Sequence, residues 1–127
     1  MLLAAMMAAG LLFHDRPPAS ASGNNVLAAS MTSDLKSIID RALEDAARRT
    51  GSDRSRLEVI SSEHVTWPDG SLGCPEPGVM YTMALVPGYR IRIRAGTEVL
   101  DYHASRRGSL TFCPPQRSVD PVPGGPT

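Results

Sequence analysis

Serine, histidine and aspartate side chains in the second half of this chain could support hydrolysis. His103 follows Asp101 by two positions, and Ser71 lies in Gly70-Ser71-Leu72-Gly73. A serine, a histidine and a carboxylate, here from Asp101 or Asp69, are the components of a nucleophilic triad. The serine segment is not the Gly-x-Ser-x-Gly elbow, and no strand leads from it into a helix. We therefore assign no catalytic residue and keep a small extracellular hydrolase as an alternative.

A row of arginines offers a second kind of chemistry, the binding of an anionic group. Arg90, Arg92 and Arg94 alternate along the chain, so a strand would place all three on one face. With Asp101 and His103 they form a candidate patch for a carboxylate of a partner protein, because the planar guanidinium binds carboxylates bidentately. The alternative is a solvated sheet face that carries cross-strand ion pairs.

A turn-rich segment, residues 67–78, supplies the other candidate contacts. It reads Trp67-Pro68-Asp69-Gly70-Ser71-Leu72-Gly73-Cys74-Pro75-Glu76-Pro77-Gly78. A loop stiffened by prolines and a disulfide loses less entropy on binding. The candidate binding residues here are Trp67, Asp69, Ser71 and Glu76. The alternatives are a loop that is merely stabilised and a tryptophan that packs beneath it.

The histidines do not indicate a metal site. Adjacent strand residues point to opposite faces, so His64 and Glu63 cannot share an ion without a bulge. With His103, the predicted mature domain has at most two histidines, fewer than a catalytic zinc site needs without a carboxylate from elsewhere. We predict neither a metal nor a cofactor.

The N-terminus predicts export. Residues 1–13 are apolar and uncharged, and Ala19-Ser20-Ala21 is typical of a signal-peptide cleavage site. The basic n-region is missing, which leaves an N-terminal anchor as the alternative, although about 13 apolar residues span a bilayer poorly. We predict a signal peptide over residues 1–21, a secreted or periplasmic (cell-envelope) location and no stable membrane span.

Two cysteines, Cys74 and Cys113, permit one intramolecular disulfide. Disulfides persist outside the reducing cytosol, so the predicted export favours this bond. Closing a loop of this size stabilises a domain by roughly 4 kcal/mol in the chain-entropy description. The alternative is a pair of buried free thiols in a cytosolic protein.

Periodicity predicts an α+β fold over residues 33–113: one N-terminal helix packed on an antiparallel four- to five-stranded meander sheet. A helix should begin near Ser33 or Asp34 and stop at Gly51. Its apolar stripe comprises Leu35, Ile38, Ile39, Ala42, Leu43 and Ala46. Alternation predicts strands over residues 57–67, 79–86, 89–94, 97–103 and 109–113, with a tight reversal at Pro87-Gly88.

Alternation also assigns the faces of the predicted sheet. The residues expected to face the helix are Ile91, Ile93, Leu100, Tyr102, Leu110 and Phe112, whereas the arginine row, Asp101, His103 and Thr111 should face away. In the first strand, Leu57, Val59, Ser61, Glu63, Val65 and Trp67 should share one side. Met80 and Met83 are interpreted as strand packing. Residues 22–32 predict a flexible lead-in, and the proline-rich residues 114–127 predict a disordered tail.

The motif residues resemble a pattern in small exported bacterial proteins that are functionally uncharacterised. The pattern comprises Trp67 to Pro75 (WPDGSLGCP), Pro77-Gly78, Tyr81, Pro87-Gly88-Tyr89-Arg90-Ile91, Tyr102-His103 and Cys113, and it extends over roughly residues 35–113. The resemblance implies a family and no activity. The helix-then-sheet order is more loosely similar to PepSY-like and cystatin-like modules, which often inhibit or regulate proteases.

The charge balance limits the choice of partner. Lys plus Arg and Asp plus Glu each number 13, which gives no reason to expect a nucleic-acid or anionic-membrane partner. The favoured interpretation is a non-enzymatic protein-binding module with a protein partner, in its finer version a protease inhibitor or regulator. A structural envelope protein is the alternative beside the hydrolase.

Overall fold

One helix and four strands make up the domain. The computed structural model describes residues 23–124, with side chains from Asp34 onwards. Its elements are α1 (Gly23–Thr50), a 3-10 turn (Arg54–Arg56), β1 (Leu57–Trp67), β2 (Val86–Ala95), β3 (Glu98–Ser105) and β4 (Leu110–Cys113). The strands form an antiparallel sheet in the order β1-β2-β3-β4. The predicted α+β class is therefore confirmed, with four strands.

The apolar stripe of α1 packs on one face of the sheet. Ile38, Ala42 and Ala46 are buried against the sheet core, and the other predicted stripe residues pack at its margin. All six sheet residues expected to face the helix belong to the same core. The helix ends at Thr50 because Gly51 takes a left-handed φ of 67°. Both the stripe and the stop signal are confirmed.

The start of α1 differs from the expectation. The helix begins at Gly23 rather than near Ser33 or Asp34, so most of the predicted flexible lead-in, residues 22–32, is helical. This stretch contains alanines, a leucine and a methionine, which are strong helix formers. The small polar residues between them masked that propensity in the sequence pattern.

The connection between β1 and β2 is a long loop, residues 68–85. The strand predicted over residues 79–86 is wrong, because β2 begins at Val86. The reversal predicted at Pro87-Gly88 is also wrong, because both residues lie inside β2. β1 and β3 occupy the two sides of β2, so the preceding segment has no strand to pair with. Loop hydrogen bonds hold it instead, from Gly70 N to Thr82 O (2.9 Å), from Val79 N to Glu76 O (3.2 Å) and from Glu76 N to the Tyr81 hydroxyl (3.1 Å).

A β-bulge divides β1 into two parts that face opposite ways. The register to β2 shifts between Val59 and Ser61. Before the shift, Leu57 and Val59 pack against the helix-side core, whereas after it Val65 and Trp67 pack in a separate cluster. One extra residue reverses the alternation of a strand. The prediction that Leu57 through Trp67 share one side is therefore wrong beyond Val59.

Trp67 is the centre of this second core, on the sheet face away from α1. Its fully buried ring packs with Leu72 and Val86, and its Nε1 donates to Ala104 O at 3.0 Å. A Cβ on Gly88 would lie 1.9 Å from Ala104 O and 2.9 Å from Trp67 Nε1. Glycine is therefore required where the indole crosses from β1 to β3. The structure therefore agrees with the interpretation in which Trp67 packs beneath the loop.

Candidate functional site

Arg90, Asp101 and His103 form a polar cluster on the sheet face away from α1, in which His103 is buried and the other two are half-buried. Arg90 donates from Nε and Nη2 to the two oxygens of the Asp101 carboxylate, at 3.2 and 2.9 Å. His103 is 0% exposed, and its ring stacks on Trp67 with 4.2 Å between the centroids. Its Nε2 lies 3.0 Å from Asp101 Oδ2, and its Nδ1 lies 2.6 Å from Leu72 O. These contacts bring three predicted site residues together.

Both hydrogen-bond partners of His103 can only accept. The Leu72 carbonyl has no hydrogen to give. Burial by itself would raise the pKa of Asp101, but the hydrogen bonds and charges of His103 and Arg90 hold that pKa well below its usual range. Asp101 is therefore ionised. Both ring nitrogens of His103 are occupied by groups of its own chain, so neither is free to act as a general base.

Ser71 is engaged elsewhere. Its backbone N and its hydroxyl both donate to Asp69 Oδ1, at 2.8 and 2.5 Å, which makes a local turn. The next residue, Leu72, has a φ of 57°, a conformation that costs free energy for a residue other than glycine. The bond from His103 to the Leu72 carbonyl helps to hold that conformation. Ser71, His103 and Asp101 thus stabilise the loop, and no Ser–His hydrogen bond connects them.

The C-terminal segment covers the polar cluster. Residues 114–124, which the sequence predicts to be disordered, instead pack against the sheet. Val119 N donates to Gly73 O at 2.8 Å, and Ser118 Oγ donates to Asp101 Oδ2 at 3.2 Å. Asp120 accepts from Arg90 Nη1 at 3.1 Å. Proline content predicts an unfolded tail. Composition alone does not predict that side chains of this tail bind Arg90 and Asp101, which lie far away in the sequence.

The remaining predicted residues lie outside the cluster. Arg94 and Glu76 are exposed, and they pair with Glu58 (3.4 Å) and Arg117 (3.3 Å), respectively. Arg92 is half-buried and forms no ion pair with another described residue. The predicted arginine row is therefore divided, since Arg90 is occupied by carboxylates of its own chain.

The Cys74–Cys113 disulfide ties the β1–β2 loop to the end of β4. The two Cα atoms are 5.7 Å apart, and the predicted pairing is confirmed. Together with the Asp69 turn and the His103–Leu72 bond, the disulfide fixes the first part of the loop, residues 68–74, which we call the anchored segment.

The second part of the loop, Val79–Leu85, is exposed and is called the apolar segment below. Met80 and Met83 are 95% and 89% exposed, and Val79 and Leu85 are also exposed. The interpretation of both methionines as strand packing is therefore wrong, and the sequence pattern does not predict this surface. One signal was available: no charged residue occurs between Glu76 and Arg90. A run of this kind without a partner strand must leave apolar side chains in solvent.

A cleft of about 730 Å³ lies beside the apolar segment. Its lining is partly apolar and partly polar. The apolar residues are Leu72, Ala84, Leu85, Val86 and Pro87, and the polar residues are Thr82 of the loop, Ser105 at the end of β3, and Arg107 and Ser109 of the β3–β4 turn. This cleft and the apolar segment form the candidate site, and no predicted binding residue lines it.

The fold and the site define a small disulfide-linked α+β domain with one anchored and one exposed loop segment. Residues 39–113, more than half of the chain, match the family described as domain of unknown function DUF8738. The chain belongs to this family. No curated protein and no solved structure matched it. This match agrees with the prediction of an uncharacterised family, whereas the pattern of small exported bacterial proteins and the PepSY-like and cystatin-like likeness stay predictions.

The prediction of export depends on the N-terminal residues. The predicted signal peptide, residues 1–21, lies outside the described residues. Over residues 23–124, no helix is long and apolar enough to cross a bilayer.

Proposed function

We propose that this domain is a non-enzymatic protein-binding module that contacts its partner through the apolar segment. The observation that carries the proposal is the nearly complete exposure of Met80 and Met83 beside exposed Leu85. Isolated exposed apolar residues are ordinary, but a cluster of them next to a cleft is typical of an interaction surface. Methionine suits this role because its flexible thioether adapts to the shape of a partner.

The anchored segment supports the proposal because it holds the base of the loop in place. Gly70 N bonds Thr82 O, which joins the two segments directly. Tyr81 is half-buried and accepts through its hydroxyl from Glu76 N at 3.1 Å. A surface whose backbone is already ordered loses less entropy on binding than a free loop does.

The length of the loop is a second support. Connections longer than about 12–15 residues without secondary structure are uncommon in small domains and usually have a function. This connection runs over residues 68–85. Only part of it stabilises the fold, so the exposed part requires another explanation, which a partner provides.

The hydrogen bonding of the buried polar groups also favours binding over catalysis. Every buried side-chain nitrogen and oxygen among the described residues has a hydrogen-bond partner. A site poised for chemistry needs a free base or nucleophile. In this domain, His103 and Ser71 are both held by groups of the chain itself.

The proposal extends to the compartment in which the domain acts and to the class of its partner. An oxidising location, outside the cell or in the envelope, suits a protein whose loop depends on the Cys74–Cys113 bond. A protease inhibitor or regulator is one partner-binding role that presents an ordered, protruding loop. Inhibition assays of the full disulfide-bonded chain against secreted proteases test that version.

Site-specific photocrosslinking in the producing cell tests the binding role. A photoreactive residue replaces Met83, and a matched control replaces Thr97, an exposed residue in the β2–β3 turn. We expect a discrete crosslinked partner from position 83 and none from position 97. Addition of Met80→Gln should abolish the crosslink, because it removes apolar contact area. Equal crosslinking from both positions, or none from either, would contradict the proposal.

A further inference from the structure

The cleft beside the apolar segment combines two chemistries. Leu85 and Val86 offer apolar contact, and Arg107 offers a cation. Leu85 and Arg107 are both exposed, so each is accessible to a partner. A ligand that fills the cleft must therefore satisfy an apolar lining and a positive charge at once.

The positive charge extends beyond the cleft. Arg107 also lines a neighbouring cavity of about 190 Å³, together with Arg41, Arg106 and a single acid, Asp34. None of the three arginines forms an ion pair with another described residue. Arg41 instead donates to Gly108 O at 2.7 Å, which holds its guanidinium at the β3–β4 turn. This corner of the domain thus carries an excess of positive charge, although the whole chain is neutral.

We propose that the occupant is a protein segment that carries a large apolar side chain flanked by acidic side chains, an inference that rests on the proposed function. The apolar side chain enters the cleft and packs against Leu85 and Val86. The acidic side chains face Arg106 and Arg107, where complementary charge favours encounter and orientation. The arginines span two cavities, so several carboxylates along a segment match them better than the single carboxylate of a chain terminus.

Peptide selection tests this chemistry without a known partner. The bait is the full disulfide-bonded chain, and the probe is a random peptide library displayed on phage. Three variant baits run in parallel: Met83→Gln with Leu85→Gln, Arg106→Glu with Arg107→Glu, and Arg56→Glu as the control. Arg56 is exposed and forms no ion pair with another described residue, so its reversal changes net charge at a distant place.

Selected peptides should be acidic and contain at least one large apolar residue. The Arg106→Glu/Arg107→Glu bait should bind them about tenfold more weakly, a loss that corresponds to two partly exposed charge pairs. It should select basic apolar peptides instead, whereas the Arg56→Glu bait should behave as wild type. Rising salt should weaken the wild-type complex and leave the apolar contribution in place.

Several results overturn the inference. Apolar peptides without an acidic bias, lost with Met83→Gln/Leu85→Gln, would refute the partner chemistry and leave the proposed function standing. Peptides unaffected by either variant would refute both. Binding to vesicles of anionic phospholipid, or a dimer in sedimentation, that needs Met83 would assign the surface to a membrane or to a second copy. Failure to enrich any peptide also counts against an acidic protein segment.

Discussion

The two segments of the β1–β2 loop contrast in almost every physical respect. The anchored segment, residues 68–74, holds Asp69, Ser71 and the disulfide-bonded Cys74, and its last four residues are buried. The apolar segment, Val79–Leu85, has no ionisable side chain except the tyrosine hydroxyl, and almost all of it is exposed. Polar contacts hold the first segment within its own chain, and the second has few contacts of any kind.

This contrast indicates that the buried polar residues and the exposed apolar residues of the loop have different roles. Buried polar groups need partners, and in this domain the partners are internal. Ser71 bonds Asp69, and His103 bonds Asp101 and Leu72. Exposed apolar groups gain free energy only when another surface covers them. The residues that suggest catalysis therefore stabilise the fold, and the residues without reactive groups remain available to a partner.

The largest expected loss of stability follows removal of the disulfide. Cys74→Ser with Cys113→Ser should lower the free energy of unfolding by roughly 4 kcal/mol, because the unfolded chain regains the entropy of a long loop. Chemical denaturation measures the loss. Reductant should reproduce it in the wild type and leave the double variant unchanged. A loss below about 1 kcal/mol would mean that the anchored segment is held without the disulfide.

Removal of the buried His103 ring should have the next largest effect. His103→Leu leaves the Leu72 carbonyl unbonded and removes a hydrogen-bond partner of Asp101, so we expect the free energy of unfolding to fall by about 3 kcal/mol. His64→Leu is the control, because His64 is exposed on β1. Chemical denaturation measures the loss for both variants. A loss for His103→Leu no larger than that for His64→Leu would contradict the structural role assigned to His103.

Acid should weaken the cluster through Asp101. Burial opposes ionisation of this carboxyl, but His103 and Arg90 outweigh it and lower the pKa in the folded state. The resulting stability is present above the pKa of the unfolded chain, about 4, and is lost as pH falls through the folded value. Denaturation of wild type and Asp101→Asn, measured from pH 7 to below the folded pKa, should give curves that begin to approach each other only below about pH 4. Parallel curves would contradict the assignment.

A smaller effect should follow Asp120→Asn. The Asp120 side chain is 89% exposed, so its pair with Arg90 is screened by solvent. We expect a loss under about 1 kcal/mol, which denaturation at low and high salt should show as a salt-sensitive term. A loss comparable with that of His103→Leu would mean that the tail contributes as much to the cluster as the sheet does.

The helix stripe, the sheet faces and the cysteine pair can be predicted from the sequence, because each depends on local periodicity or on a unique pairing. The bulge between Val59 and Ser61 is not evident from the residues, since one extra residue leaves each half of the strand pattern intact. The false strand over residues 79–86 has the opposite cause. Its residues suit a strand, but a strand forms only beside a partner, and topology supplies none.

The sequence does not predict the candidate site, but it predicts part of the polar cluster. Alternation places Arg90, Asp101 and His103 on one face of the sheet, as the structure does. Their burial depends on residues 114–124, which fold back from a distant part of the chain. The exposure of Met80 and Met83 depends on the missing strand partner. Both outcomes are set by long-range packing, which periodicity does not encode.

Partner capture by two folded variants tests the central claim most directly. Crosslinked pull-downs from the producing cell's extracellular and envelope fraction compare full-length Met80→Gln/Met83→Gln with Asp120→Asn. Both variants should unfold within about 1 kcal/mol of wild type, because the changed side chains are exposed. We predict that the methionine variant loses the partner and that Asp120→Asn retains it. Retention by the methionine variant, or loss by Asp120→Asn alone, would contradict a binding role for the apolar segment.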